Sequence, residues 1–316
     1  MPEPLKPRAL QPDSRIAVLA PASLPSDPEV LPRIVEALRS RGFEVRLMAD
    51  PVEPRLSYLA APDEVRAQRL LEAFQDPEIH AILALRGGYG TARLLPLLEA
   101  AVIRRHPKIL AGFSDLTALF LGLWKTTGLV TFYSPVATEL ARADEKTWQH
   151  FLATLQGDAW HLEPWPEVHP GRVLVPGEAE GRLLGGTLAV LVSLVGTPYL
   201  PDLRGAILFL EDVNEAPYRV DRMLTQLLQA GVLEGVKGIA LGVFHECGEP
   251  EELMATLRDR LVPLGVPVCY GLPFGHIPRK GTLPLGIRVR LTTEPCRLEA
   301  LEPAVLKGQD RQQPGT

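Results

Sequence analysis

At 316 residues, with 46% hydrophobic and 22% charged side chains, the chain has a folded globular protein's composition and length enough for two cores. Its formal net charge of −5 gives no electrostatic reason to bind nucleic acid or an anionic membrane surface. Three cysteines (Cys247, Cys269, Cys296), late in the chain and without a Cys-x-x-Cys spacing, read as reduced core residues, so neither disulfides nor a metal site is expected.

The opening run Met-Pro-Glu-Pro-Leu-Lys-Pro-Arg has no apolar core of signal-peptide length, and no later run approaches a membrane span. A cytoplasmic protein is the expectation. Residues 15–20 (Arg-Ile-Ala-Val-Leu-Ala) read as a first strand. Asp27 can cap a helix with Pro28 at its first position, lined by Val30, Ile34, Val35 and Leu38 and stopped by Gly42. Phe43 to Ala49 alternate as a second strand, a helix runs from about Asp63 to Phe74, and His80 to Leu85 form a third strand. Gly87, Gly88 and Gly90 then make a turn before a helix through Leu94, Leu95, Leu97 and Leu98. Strands alternating with helices at short spacing predict a parallel sheet covered on both faces, with working groups at the carboxyl ends of its strands.

Residues 106–124 carry the most information. Ile109, Leu110 and Ala111 read as a buried strand that meets Gly112. From Asp115 onward, Leu116, Leu119, Phe120, Leu123 and Trp124 fall at helical spacing. Ser114 thus sits at a sharp strand-to-helix turn, where unpaired N–H groups of the helix start lie beside its hydroxyl. Such a turn suits a nucleophile, because those N–H groups can receive the charge that develops on an attacked carbonyl. The plainer alternative is that Ser114 or Asp115 is a helix cap. Leu116 also stands where the Gly-x-Ser-x-Gly elbow has its second glycine.

Residues 156–178, rich in Pro, Gly, Trp and His, read as a linker. A new pattern begins near Glu180. Gly185-Gly186 precedes a helix through Leu188, Leu191, Val192 and Val195, and Gly205 to Leu210 is a strand. Pro217 opens a helix with Val220, Met223, Leu224, Leu227 and Leu228 on one face. Further strands are expected at 238–244, 266–270, 287–291 and 296–300, and a polar, disordered tail from 307.

Two residues complete a possible constellation. Glu211 follows five apolar strand residues, as a soluble strand end or as a buried acid that holds a base. His276 lies in Gly-Leu-Pro-Phe-Gly-His-Ile-Pro, a loop whose glycines and prolines fix the backbone; His245 beside Glu246 is its rival, and either could be a surface residue. A serine hydroxyl needs an imidazole to take its proton, and the imidazole needs a carboxylate on its other nitrogen. The Asp115 N–H and one from Gly87-Gly88 can receive the oxyanion, since glycine lets main chain approach a ligand closely.

The runs Leu85-Arg-Gly-Gly-Tyr-Gly90, Gly112-Phe-Ser-Asp-Leu-Thr-Ala118, Gly196-Thr-Pro-Tyr-Leu-Pro201, the segment Leu210 to Leu227, and Gly271-Leu-Pro-Phe-Gly-His276 together cover much of the chain. In them the sequence resembles the LD-carboxypeptidase family of serine peptidases, which includes muramoyltetrapeptide carboxypeptidase and the microcin C self-immunity peptidases. The resemblance spans about residues 13–303. It implies a Ser114–Glu211–His276 triad with an oxyanion hole at Gly88 and Asp115. It also implies an α/β fold, with a flavodoxin-like parallel-sheet N-terminal domain (1–155) and a smaller C-terminal α/β domain of β-barrel character (179–306).

No metal or cofactor is expected, and the partners implied are a small muropeptide substrate and a second copy of the chain in a homodimer. Arg86, Gly87, Tyr89, Arg219 and Lys280 are candidates for substrate contact, although each cation could equally be a surface charge or a packing ion pair. In the peptidyl-nucleotide alternative, Trp160 or Trp165 would stack on a base, against their plainer reading as hydrophobic anchors. A non-catalytic binder holding an anion at Gly87–Gly90 is the rival of another class. The sequence departs from the family at two places. Thr187 follows the second-domain glycines where Asn is usual, and Tyr133-Ser134-Pro135 stands where His-Gly-Pro is frequent. Both are expected to shape the substrate pocket.

Overall fold

The computed structural model describes residues 1–49 and 56–308. The first half runs β1 (Arg15–Leu19), α1 (Val30–Arg39), β2 (Glu44–Met48), α2 (Asp63–Gln75), β3 (Ala81–Ala84), a 3-10 turn (Thr91–Leu97), α3 (Ala100–Arg105), β4 (Ile109–Gly112), α4 (Leu116–Thr127), β5 (Thr131–Tyr133), α5 (Ala137–Leu140) and α6 (Glu145–Gln156). Its strands lie in the order β2-β1-β3-β4-β5, all parallel, which is the flavodoxin-like order. That order places a crevice above the carboxyl ends of β1 and β3, where the chain reverses direction across the sheet.

The second half runs β6 (His161–Leu162), β7 (Arg172–Val175), β8 (Glu178–Thr187), α7 (Leu188–Ser193), β9 (Ala206–Glu211), α8 (Pro217–Gln229), β10 (Gly238–Leu241), α9 (Pro250–Leu261), β11 (Val268–Tyr270), β12 (Leu283–Leu285), β13 (Arg288–Thr293) and β14 (Cys296–Ala300). Eight of these strands form one sheet in the order β6-β14-β13-β8-β9-β10-β11-β7. The sheet curls, so that Gly238 on β10 packs against Leu291 on β13 although two strands separate them.

Several features differ from the sequence reading. Residues 156–178 are not simply a linker, because β6 and β7 within them are edge strands of the second sheet. Strands this short carry too little periodicity to stand out among prolines and glycines. β12 leaves the second half and pairs antiparallel with β5, adding a sixth strand to the first sheet. The cysteines are not all reduced: Cys269 on β11 and Cys296 on β14 form a disulfide, their Cα atoms 6.1 Å apart, because the curl brings together strands distant in sheet order. Cys247 is free and buried, and burial pushes its thiol up to about 11. The predicted tail lies outside the described residues from 309 onward.

The helical spacing of Leu116, Leu119, Phe120, Leu123 and Trp124 predicts one buried face for α4, but every residue from Leu116 to Trp124 is buried. One side of it faces the first sheet, while β8 and α7 of the second half pack on the other. A helix apolar all round is one enclosed on all sides. Each fully buried Leu or Phe on it contributes about 1.5–3 kcal/mol, so the turn that precedes it is held from both halves.

Candidate active site

Ser114 follows β4 by two residues and has a φ of 65°, a left-handed conformation uncommon for a residue with a side chain. Such a backbone costs about 1–3 kcal/mol and persists only where its surroundings impose it. The surroundings here are tight: a Cβ placed on Gly87 would lie 2.9 Å from the Ser114 Cβ and 3.1 Å from its Oγ. Only glycine at 87 lets the β3 loop pass so close beneath the hydroxyl.

The capping alternative fails on the bonds observed. Neither Ser114 nor Asp115 caps α4 with its side chain. Ser114 Oγ instead lies 3.0 Å from His276 Nε2. The Asp115 carboxylate accepts the Thr91 N–H at 2.8 Å, and the Thr91 hydroxyl donates to the Asp115 carbonyl at 2.5 Å, tying the glycine loop to the head of α4. Burial pushes the Asp115 carboxyl up against these bonds.

On its other side the His276 ring meets Glu211. Nδ1 lies 2.8 Å from Glu211 Oε2, and the His276 backbone N–H donates to the same oxygen at 3.2 Å. With Nδ1–H directed at the carboxylate, Nε2 is left as an acceptor facing the serine proton. Phe113 packs on the imidazole, ring centroids 4.8 Å apart. Glu211 itself is fully buried. Burial alone would raise its carboxyl, but the bonds from His276, Tyr133 and Thr187 prevail and hold it below the ordinary glutamate range. It remains an anion where an imidazolium would need one.

The loop that carries His276 is anchored in the first half. Lys280 is buried, with Nζ 2.7 Å from Glu139 Oε1 on α5 and 3.8 Å from the centre of the Phe113 ring. Burial lowers its ammonium while Glu139 opposes the shift. The Thr282 N–H donates to His150 Nδ1 on α6 at 3.1 Å, and Trp160 Nε1 donates to the Thr282 carbonyl at 2.8 Å. Arg279 pairs with Asp144 at 2.8 Å. β12 follows immediately and joins the first sheet.

Among the described residues no protein acceptor engages the N–H of Gly88 or of Asp115. Gly88 has a φ of 118°, and a Cβ there would strike the Ser23 hydroxyl at 2.2 Å, so the loops after β1 and β3 touch at this point.

The substrate-contact candidates divide. Tyr89 is half exposed beside Tyr58, with ring centroids 5.8 Å apart, at the mouth of the glycine loop. Arg86 donates to the Leu24 carbonyl at 3.0 Å and lines a cleft with Arg33 and Arg142. Arg219 is exposed and pairs with Glu215 at 3.5 Å, while Lys280 is committed to Glu139. The rival His245 lies beside Glu246 at 3.8 Å. Trp160 and Trp165 are buried anchors against His150, not free platforms for a base.

Sequence reasoning missed Arg66. It is buried, and its guanidinium bonds the carbonyls of Pro21, Ala61 and Gly90 while pairing with Asp63. It therefore clamps the β1 loop to the glycine loop. A lone arginine on an otherwise ordinary helix gave no signal of this.

A strained serine, an imidazole on its hydroxyl and a buried carboxylate behind the ring define a serine-hydrolase type of site, set where two sheets meet. The match to known proteins narrows the class. Residues 16–134 match the LD-carboxypeptidase N-terminal domain, and residues 180–291 match the LD-carboxypeptidase C-terminal domain. The chain belongs to the LD-carboxypeptidase family, and it is a serine-type enzyme of that family.

It is 36% identical over 294 residues to the probable murein peptide carboxypeptidase of Bacillus subtilis, covering 91% of this chain and 92% of that protein. Its fold matches the crystal structure of muramoyltetrapeptide carboxypeptidase from Oxalobacter formigenes with a TM-score of 0.80 at 35% identity, covering 90% of this chain and 97% of that one. An MccF-like protein from Bacillus anthracis matches with a TM-score of 0.86 at 28% identity, over 93% and 98% of the two chains.

Proposed function

We propose that the protein removes the terminal D-alanine from murein tetrapeptides during cell-wall recycling, with Ser114 as nucleophile, His276 as general base and Glu211 as the acid that orients it. His276 Nε2 takes the Ser114 proton as Oγ attacks the carbonyl carbon. The N–H groups of Gly88 and Asp115 receive the oxyanion, each donor being worth about 3–4 kcal/mol in comparable sites. The bond to D-alanine then breaks, His276 gives its proton to the departing amine, and an acyl-enzyme on Ser114 remains. Water enters, loses a proton to the same nitrogen and releases the shortened peptide.

The continuous chain Ser114 Oγ, His276, Glu211, at 3.0 and 2.8 Å, is the observation that carries this reading. Relatives named for murein peptides support the substrate class. Release of D-alanine from a murein tetrapeptide is the direct assay. Ser114→Ala should lower it by roughly ten-thousand-fold or more with the fold intact; near-full activity in that variant would overturn the assignment.

The likeness to the MccF-like structure favours one comparison, an assay of an aminoacyl-sulfamoyl adenosine beside the tetrapeptide. Preference for the nucleotide would reassign the substrate and leave the triad chemistry unchanged. The buried state of Trp160 and Trp165 removes the stacking residues that this alternative called for. Labelling of Ser114 by a fluorophosphonate, lost in His276→Ala, would set aside a pure binder. No helix among the described residues is long and apolar enough to cross a membrane. The cytoplasmic location we propose is checked by cell fractionation. The proposed homodimer is checked by molar mass in solution.

A further inference from the structure

Thr187 and Tyr133, read from the sequence as departures from the family pattern, lie far apart in the chain and in different sheets, yet their side chains meet. The Tyr133 and Thr187 hydroxyl oxygens are 3.0 Å apart. Both converge on Glu211 Oε1, Tyr133 Oη at 2.5 Å and Thr187 Oγ1 at 2.7 Å. All three residues are buried. These positions were expected to shape the substrate pocket; they instead grip the acid behind the imidazole.

The proton count fixes what the pair does. An ionised carboxylate only accepts, and each hydroxyl has a single proton to give. If both protons go to Oε1, none is left between the two hydroxyls, and their closeness follows from sharing an acceptor. Oε2 takes the remaining two donors, His276 Nδ1–H and the His276 backbone N–H. Glu211 is therefore saturated in a buried site, with one oxygen given to His276 and the other to this pair. The pair also bridges the halves of the molecule. Tyr133 ends β5, beside β4 and its serine turn, whereas Thr187 ends β8 next to β9 and Glu211. The Thr187 N–H donates to Thr117 Oγ1 on α4 at 3.0 Å, linking it to the nucleophile's own helix.

We propose that Tyr133 and Thr187 act as one positioning pair, two hydroxyls that together hold the far oxygen of Glu211 and set how strongly the carboxylate supports a protonated His276. The proposal rests on the triad reading. Burial and Glu211 push the Tyr133 phenol well above its usual range, so it stays a donor. Other groups bear on the same carboxylate from several elements. Asp212 and Cys247 stand near it in the second half, and Lys280 approaches from the His276 loop. None of these donates a hydrogen bond to Oε1 among the described residues, so the local effect belongs to the two hydroxyls.

Losing a donor leaves more charge on Glu211, which favours the imidazolium over the free base. The acid limb of the kcat/KM profile should then move to higher pH. Tyr133→Phe and Thr187→Val each remove one hydroxyl with little change of shape, and Thr187→Ser keeps it. Each of the first two should raise the acid limb by roughly half a pH unit and, because the half-freed carboxylate lets the ring leave its alignment on Ser114 Oγ, lower kcat about tenfold with KM nearly constant. The double variant should lose more than the product of the single losses, because Oε1 is then bare in a buried site. Thr187→Ser should restore both kcat and the limb.

An acid limb unmoved in both single variants, or activity lost without a shift and not restored by Thr187→Ser, overturns the pair. Ser114→Ala, assayed in parallel, separates the two levels. Activity surviving in it sinks the triad reading itself, whereas an inactive Ser114→Ala with an unmoved limb in the pair variants sinks only the present proposal.

Discussion

His150 offers a sharp test of how the His276 loop is held. Its ring sits between Trp160 and Trp165, accepts the Thr282 N–H on Nδ1 at 3.1 Å, and directs Nε2 at the His161 carbonyl at 3.2 Å. These partners call for the neutral ring with its proton on Nε2; a second proton on Nδ1 would face the Thr282 N–H. Burial lowers the group from 6.5 to about 4. The sign follows from that depression. The unfolded chain binds the proton first, so the stability His150 contributes is complete above about pH 6.5 and is lost as pH falls toward 4. Between about pH 7.5 and about pH 5 the loss comes to about 2 kcal/mol, an upper figure because the ring edge is partly accessible.

Asparagine at 150 can still accept from Thr282 but does not titrate. Urea unfolding of wild type and His150→Asn at both pH values isolates the term. The variant should be about 1–2 kcal/mol less stable at the higher pH, and the difference should move by about 2 kcal/mol at the lower one, closing or changing sign. A gap of the same size at both pH values would refute the reasoning, since every other titrating group is common to the two proteins.

Other perturbations probe the neighbouring supports. Arg66→Met strips the Pro21 and Ala61 carbonyls of the guanidinium's bonds, although Asp63 keeps Arg93, and should cost about 3 kcal/mol or more by thermal unfolding, with little recovery in Arg66→Lys because one ammonium cannot span the sites of a planar fork. Burial pushes the Asp212 carboxyl up to about 7, so the native state gives up stability as pH rises from the ordinary aspartate range through neutrality. Asp212→Asn should therefore gain about 2–3 kcal/mol relative to wild type between about pH 5 and about pH 8, and a flat difference would contradict this. Gly87→Ala should lower kcat by about a hundredfold or more and also lower the melting temperature, because its Cβ would press on the Ser114 Cβ and displace the side chain from His276.

Much of the first sheet was legible because its strands and helices carry strong periodicity. β1, β2, α2, β3 and β4 fall within a residue or two of the expected limits, and α4 starts one residue after the expected onset. The Ser114 turn was legible too, because a short apolar strand, a glycine and a helix onset leave few other geometries. Glu211 and His276 were visible as candidates, each with a plainer reading that only spatial convergence could remove. What stayed hidden belongs to contacts made at a distance. The three residues of β12 look like loop, and nothing local announces that they pair with β5. The disulfide likewise depends on the curl of a sheet, not on spacing. Tyr133 and Thr187 were noticed as departures, but their effect on Glu211 required knowing that β5 and β8 end at the same point.

The same topology explains why the site has the form it does. A hydroxyl at the end of β4 and a carboxylate at the end of β9 belong to different sheets, and neither sheet alone can place an imidazole between them. The chain solves this by passing out of the second sheet after β11, laying the His276 loop over α5 and α6, and closing the first sheet with β12. Beyond His276, Lys280 to Glu139, Thr282 to His150 and β12 to β5 fasten that loop to the half that carries Ser114, while before it the Val243 N–H holds the Phe274 carbonyl from the second half. The Glu211 end is held by different means, the buried hydroxyls and the His276 backbone N–H. The imidazole is thus fixed at both its nitrogens by groups from opposite halves. Its position is a direct readout of how those halves are docked, and a change that loosens the docking reaches the serine through this ring as well as through the contacts of β8 and Thr187 with α4.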